Sequence, residues 1–308
     1  MNFYNQIINN IKQVIKGNET TVKYIIAAII AKKHILLEDF PGTGKTTLAK
    51  AISKSLNLDF NRIQFTPDLL PSDIMGVSIY NAQKNIFEFH KGAIFTTILL
   101  ADEINRAAPR TQSALLEAMA ENQVTIDGEK HILNDNFFVI ATQNPLEMSG
   151  TYPLPEAQTD RFSMKLSLGY LTQLQEISLL SEKEKNSNKL NELTPCLSVN
   201  DLNSAREEAK KIFISPELKK YIVNIVQSTR KHKDILIGAS PRASIDLMDL
   251  SKVLAYFDGL DFVKPEYIYE LSPFVISHRI KLNSQIKYSG VNESQIVKEL
   301  LKKIPVPN

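Results

Sequence analysis

The chain has 308 residues, 43% hydrophobic and 23% charged, which is enough apolar material for a packed core and excludes global disorder. Its 36 basic and 34 acidic side chains leave a net charge of +2, so the overall charge does not mark a nucleic-acid polyelectrolyte binder. A single cysteine, Cys196, excludes an intrachain disulfide and fits a reducing compartment.

The first residues, Met1-Asn2-Phe3-Tyr4-Asn5-Gln6, are polar and lack the apolar core of a secretion signal. The longest apolar run, Tyr24 to Ala31, is far too short to span a bilayer and reads as a buried helix. A cytoplasmic protein without membrane insertion is therefore expected. Strands are predicted near 34–38, 60–65, 97–101, 137–142 and 163–168, and helices near 20–31, 45–57, 109–121 and 155–160. This alternation argues for a parallel sheet with helices on both faces. Pro109 suits the first turn of the third of these helices.

The first strand runs into Asp39-Phe40-Pro41-Gly42-Thr43-Gly44-Lys45-Thr46-Thr47. A strand that ends in a Gly-rich turn and opens a helix turns backbone N–H groups onto an anion. Pro41, Gly42, Thr43, Gly44, Lys45, Thr46 and Thr47 are thus expected to hold the phosphates of ATP. Lys45 would reach the β- and γ-phosphates, and the Thr46 hydroxyl would sit on Mg²⁺. The strict pattern asks for glycine five residues before Gly44, where this chain has Asp39.

Further on, Thr97-Ile98-Leu99-Leu100-Ala101-Asp102-Glu103 is an apolar run ending in two carboxylates. Buried parallel strands read this way, and ligands bind at their C-terminal ends. Asp102 would hold Mg²⁺ and Glu103 would polarise the attacking water, the two pointing to opposite faces of the strand. A further strand, Phe137 to Thr142, leads to Asn144, which would orient that water beside the γ-phosphate.

Two insertions interrupt the pattern. Gly76–Tyr80 and Ile86–Phe89 flank Asn81-Ala82-Gln83-Lys84-Asn85, and Val124–Ile126 and Lys130–Leu133 flank Asp127-Gly128-Glu129. Both read as β-hairpins, the second with a strong Asp-Gly turn. After Gly169 the texture changes. Residues 171–200 are polar and read as a helix end and linker. From Ser198 onward, sets such as Leu218, Ile222, Ile225 and Val226 recur at helical spacing. The expected division is a core over 1–168, a linker and connecting helix over 169–200, and a helical lid over 201–308.

Taken in order, Leu100–Ala107, Gln112–Met119, Ala141–Pro145, Pro155–Phe162 and Gly238–Ala243 resemble the motifs of the MoxR family of AAA+ ATPases. The resemblance covers nearly the whole chain. It implies an α/β P-loop NTPase core with a parallel sheet and β-hairpin insertions, followed by a small all-α lid. It also implies an ATPase that uses ATP and Mg²⁺ in a ring, usually a hexamer, and remodels or matures client proteins. Adaptors with a von Willebrand A-type domain are frequent in the family.

By the same resemblance Gly17 and Asn18 begin the adenine pocket. Arg161 is the arginine finger inserted into the neighbouring subunit's site, Arg242 is the second sensor, and the hairpins face the central pore. Many relatives carry Gly-Arg where this chain has Gly259-Leu260. A metal-chelatase-like ATPase subunit and a nucleic-acid motor remain as alternative readings. The hairpin tips carry little positive charge, which argues against nucleic acid.

Overall fold

Alternation along each core strand decides what it packs against. In the computed structural model, which describes residues 3–145, 151–184 and 189–307, the strands are β1 (Ile35–Glu38), β2 (Phe60–Gln64), β3 (Gly76–Asn81), β4 (Ile86–Lys91), β5 (Ile98–Asp102), β6 (Gln123–Ile126), β7 (Glu129–Ile132), β8 (Phe138–Gln143) and β9 (Met164–Leu166). Strands β2-β5-β8-β1-β9 form one sheet in that order, every pair parallel. Ile35, Leu37, Ile98, Leu100 and Ile140 point into one apolar cluster, shared with the helices Glu19–Ile30 and Lys45–Ser55 and with the C-terminal helices. Leu36, Leu99, Val139 and Ala141 point the other way, onto the helix Pro109–Glu121. The period of two in the strands thus builds two apolar layers on one buried sheet.

Parallel strands put their C-terminal ends in one row. Leu37 pairs with Thr142, Glu38 with Gln143, and Ala101 with Ala141. The residues just past β1, β5 and β8 therefore meet along a single sheet edge, as the sequence motifs require.

The insertions are antiparallel hairpins, β3–β4 and β6–β7. Ile126 pairs with Glu129, so the second turn is the two residues Asp127 and Gly128, with φ of 51° and 83°. Both angles are those of a type I′ turn. The hairpins lean together through Phe89, which stacks on His131 with ring centroids 4.0 Å apart.

The C-terminal region holds the helices Val199–Lys211, Pro216–Lys231, Pro241–Phe257, Pro265–Ile276 and Glu293–Lys303. Four of them start at residues whose side chains accept from a first-turn N–H: Ser198, Ser215, Ser240 and Asn292. Each such cap typically contributes about 1 kcal/mol. The lid also carries a short antiparallel ribbon, β10 (Ile235–Ile237) with β11 (Lys281–Leu282), which helical periodicity did not signal. The connecting helix expected within 169–200 is Gln173–Glu184, which has no buried residue. Its polar composition hides its bounds, because little of it meets the core. Among the described residues, no helix is long and apolar enough to cross a membrane.

Candidate nucleotide site

Between β1 and the helix Lys45–Ser55 the chain turns through Gly42 (φ 82°) and Gly44 (φ 87°). A Cβ on either would meet nothing within 4 Å, so the glycines leave open space over the loop. Gly44 caps the helix without a side chain, which leaves the first-turn N–H groups of Lys45, Thr46 and Thr47 without a side-chain acceptor. That is the geometry of an anion site. The Lys45 ammonium donates to the carbonyls of Phe40 (2.8 Å) and Asp39 (3.2 Å), neutral acceptors that a phosphate oxygen would outcompete. Thr43 Oγ1 donates to the Phe40 carbonyl at 3.2 Å, and Pro41 lies exposed at the tip of the loop.

Asp39, the departure from the strict loop pattern, is buried. Its carboxylate accepts from Ser167 Oγ (2.8 Å), Leu168 N (2.6 Å) and Gly169 N (3.0 Å). Where the pattern has glycine, this chain has an anchor that straps the loop to the segment after β9.

Asp102 ends β5 and is buried. Thr142 Oγ1 donates to its Oδ1 at 2.6 Å. Its Oδ2 accepts from Arg62 Nη2 (2.7 Å) and Nε (3.2 Å), an ion pair supplied by β2. Glu103 does not continue the strand. It takes the left-handed conformation (φ 57°, ψ 50°), and its carboxylate accepts from Gln64 Nε2 (2.6 Å) and Arg106 Nη1 (2.8 Å). The expectation of opposite strand faces is thus corrected: a backbone turn, not the pleat, separates the two acids. Asn144 is buried just past the end of β8.

Beside the loop lies a cleft of about 450 Å³. Gly17, Asn18, Gly42, Thr43, Gly44 and Thr47 line it, together with the apolar Val14, Ile15, Leu168, Leu171, Leu179 and Leu180. Polar backbone at one end and aliphatic side chains at the other suit a phosphate chain and a purine base. Asn18 caps the helix Glu19–Ile30 by accepting from Thr21 N (3.0 Å), and its Nδ2 donates to the carbonyls of Ser167 and Leu168.

Arg161 and Arg242 are not part of this cleft. They line a separate one of about 260 Å³, with Asp160 and Asp246 between them. Arg161 Nη1 donates to the Leu116 carbonyl, and Arg242 Nη1 lies 3.7 Å from Asp160 Oδ2. The expected site residues therefore fall into two groups. Gly17, Asn18 and the phosphate loop make one cleft, with Asp102, Glu103 and Asn144 at the adjoining strand ends, and the two arginines make another. Reading motifs one at a time missed Asp39, Arg62, Gln64, Arg106 and Thr142. Asp39 stood out as a departure from the loop pattern, and Gln64 and Arg62 as polar residues on a strand ending beside the acids, but their contacts did not.

The residues fit a magnesium nucleotide. Among the described residues no cluster of three or more His, Cys, Asp or Glu forms a metal cage. Mg²⁺ of this kind takes only one or two protein ligands and leaves the rest to phosphate and water. Thr46, in the first turn of the helix, and Asp102, at the end of β5, are the groups of the expected chemistry.

Such a loop, sheet and lid define a P-loop ATPase of the AAA+ class. Residues 34–164 match the family described as "ATPase family associated with various cellular activities (AAA)", and residues 227–300 match the AAA lid domain. The chain is 35% identical to Chaperone MoxR1 of Mycobacterium tuberculosis, over 97% of this chain and 81% of that one. It is 47% identical to the uncharacterized protein YeaC of Bacillus subtilis, over 97% and 93%. A crystal structure of a Cytophaga hutchinsonii protein with a provisional ATPase name superposes with a TM-score of 0.92. That protein is 41% identical, with 99% of this chain and 95% of that one covered. The chain belongs to the MoxR family of AAA+ ATPases.

Proposed function

We propose that the protein hydrolyses Mg-ATP in a ring, hexameric by family resemblance, and uses the cycle to remodel or mature client proteins. The observation that carries this reading is the separation of Arg161 and Arg242 from the nucleotide cleft of their own protomer. Two guanidiniums in a second cleft are suited to a neighbour's phosphates, where such a group is worth about 10³–10⁵ in rate in the studied NTPases. In this reading Lys45 and the N–H groups of the loop hold the β- and γ-phosphates. Glu103 and Asn144 orient the water, and Glu103 accepts its proton. Mg²⁺, held by Thr46 and Asp102, supplies charge neutralisation at the phosphates.

The hairpin β3–β4 supports a polypeptide client. Tyr80 and Phe87 are a cross-strand aromatic pair that is 50% and 72% exposed, and Ile79 and Ile86 add apolar surface. Its lysine at the tip, Lys84, is paired with Glu88. An apolar hairpin whose tip lysine is neutralised suits a protein segment better than a phosphate backbone. A cytoplasmic location, an adaptor with a von Willebrand A-type domain, and the division into core, linker and lid belong to the same reading.

The test is ATP turnover against protein concentration, with light scattering after size exclusion, on wild type, Lys45→Ala, Glu103→Gln and Arg161→Ala. Cooperative turnover by an assembly is expected. All three variants should lose it, while Glu103→Gln still binds ATP. Equal turnover by a strict monomer that ignores Arg161 would sink the ring.

A further inference from the structure

Arg279, in the lid, is a buried cation outside the nucleotide cleft, with its side chain 1% exposed. Its Nη2 lies within hydrogen-bonding distance of the Phe162 carbonyl (2.8 Å), the Asp160 carbonyl (3.2 Å) and Asp246 Oδ2 (2.5 Å). Its Nε is 3.2 Å from Asp160 Oδ1. The two carbonyls belong to the residues on either side of Arg161. His278 Nε2 adds a third lid contact here, 2.8 Å from the Phe162 carbonyl.

The same group of charges reaches Arg242. Ser240 Oγ, which caps the helix that Arg242 begins, donates to both oxygens of Asp160 at 2.9 Å. Asp246, on that helix, is shared between Arg279 and Lys33, whose ammonium is also 2.9 Å from Asp249.

We propose that Arg279 is a positioning residue for ATP hydrolysis. It fixes the backbone on both sides of Arg161 and, through Asp160, the start of the helix that bears Arg242. Both guanidiniums are thereby presented together to the next protomer's nucleotide. This rests on the reading of Arg161 as acting on a neighbour.

Local structure explains why a clamp is needed. Arg161 sits between the four-residue helix Glu156–Thr159 and the three-residue strand β9, elements too short to hold it alone. Its own side-chain bond to the Leu116 carbonyl has to break before the guanidinium can extend. Two nitrogens of the Arg279 guanidinium divide the contacts, Nη2 taking both carbonyls and Asp246 and Nε facing Asp160, and a single ammonium cannot occupy both positions. A misplacement of about 1 Å at a transition-state contact costs on the order of 10²-fold in rate.

Mixing protomers tests this. Lys45→Ala has no working site of its own but intact Arg161 and Arg279. Arg279→Met has an intact site but a loosened Arg161. Each alone should be slow. The mixture should turn over at least several-fold faster than the sum of the two, with the ATP KM of wild type, because Arg279→Met sites borrow a correctly held Arg161. Lys45→Ala mixed with Arg161→Ala is the companion measurement.

Rescue in the Arg161 mixture without rescue in the Arg279 mixture overturns the positioning role and leaves action on the neighbour standing. Failure of the Arg161 mixture overturns action on the neighbour, and the positioning role with it. If Arg279→Met does not fold, Arg279→Lys takes its place in the mixture. Arg279→Lys keeps a positive charge but cannot fill both the Nη2 and the Nε positions, so the segment around Arg161 loosens and kcat should drop on the order of 10²-fold at unchanged KM. A wild-type kcat in Arg279→Lys also overturns the proposal.

Discussion

The Thr142 hydroxyl donates to Asp102 Oδ1 at 2.6 Å, tying the end of β8 to the end of β5. The hydroxyl oxygen, Thr142 Oγ1, accepts from Glu103 N at 2.9 Å. One buried hydroxyl therefore aims the metal-side carboxylate and holds the left-handed turn that swings Glu103 away from the strand. Thr142→Val keeps the shape and removes both bonds. A buried group left unpaired costs about 1–3 kcal/mol, so the denaturation midpoint should fall accordingly. Turnover should drop more than ATP binding does. Wild-type turnover in Thr142→Val would remove the residue from the site.

Asp39 makes a second prediction. Asp39→Ala strands the Ser167, Leu168 and Gly169 donors and frees the phosphate loop from its strap. Hydrogen bonds to a charged group are worth about 1.5–3 kcal/mol each. Titration with a fluorescent ATP analogue should show at least tenfold weaker binding, on the order of 1.4 kcal/mol. Asp39→Gly restores the residue of the strict pattern, and it should be as weak as Asp39→Ala. Equal affinity for Asp39→Gly and wild type would show that the strap is dispensable.

In the proposed reading Arg62 competes with Mg²⁺ for Asp102. Its guanidinium occupies Oδ2 at 2.7 Å while remaining 45% exposed. Removing magnesium with a chelator should abolish turnover in every form of the protein. Arg62→Met should lower the magnesium concentration needed for half-maximal turnover by a few-fold, because the carboxylate no longer has to be released first. An unchanged or higher midpoint would mean that the arginine orients the acid rather than masking it.

Two half-buried histidines should contribute to the acid limit of the fold. Burial, helped by the charge of Lys33, drives His34 down to about 4, and burial beside Arg279 holds His278 well below its usual range. In the unfolded chain both titrate near about 6.5. Between those values the unfolded state binds protons that the folded state refuses, so stability is full above about pH 6.5 and falls as pH drops toward 4. For His34 alone the full shift amounts to roughly 3 kcal/mol. Urea midpoints at pH 7.5 and 5 should show the loss, and His34→Asn should flatten it. His34 Nδ1 accepts from Val139 N at 3.0 Å, so that variant is also expected to be less stable at pH 7.5.

The core strands were legible in the sequence because a buried parallel strand must be apolar throughout, as Ile98–Ala101 is. The phosphate loop was legible because only glycine turns so tightly at Gly42 and Gly44. What stayed hidden were relations between distant segments. Nothing around Asp39 announces that its partners lie at 167–169, and nothing around Arg279 points to the carbonyls of 160 and 162. Ser240-Pro241 marks a helix start, a capping hydroxyl followed by a first-turn proline, but the cleft that Arg242 lines depends on how the lid packs. A connecting helix was expected within 169–200, but the bounds of Gln173–Glu184 were not legible, because a segment with no buried residue has no apolar stripe facing a core.

That last helix has a thermodynamic consequence. It is fastened by an ion pair between Lys16 and Glu182 (3.1 Å) and by packing of the 171–175 segment on Gly17, while Leu179 and Leu180 face the nucleotide cleft. In the proposed reading a purine seated there would cover those exposed leucines, and the nucleotide would act as a removable part of the hydrophobic core. By mass action, ligand at a hundred times its dissociation constant adds about 2.7 kcal/mol to the folded state. Much of that gain would be felt as protection of this wall from proteolysis, and each release of product would loosen it again.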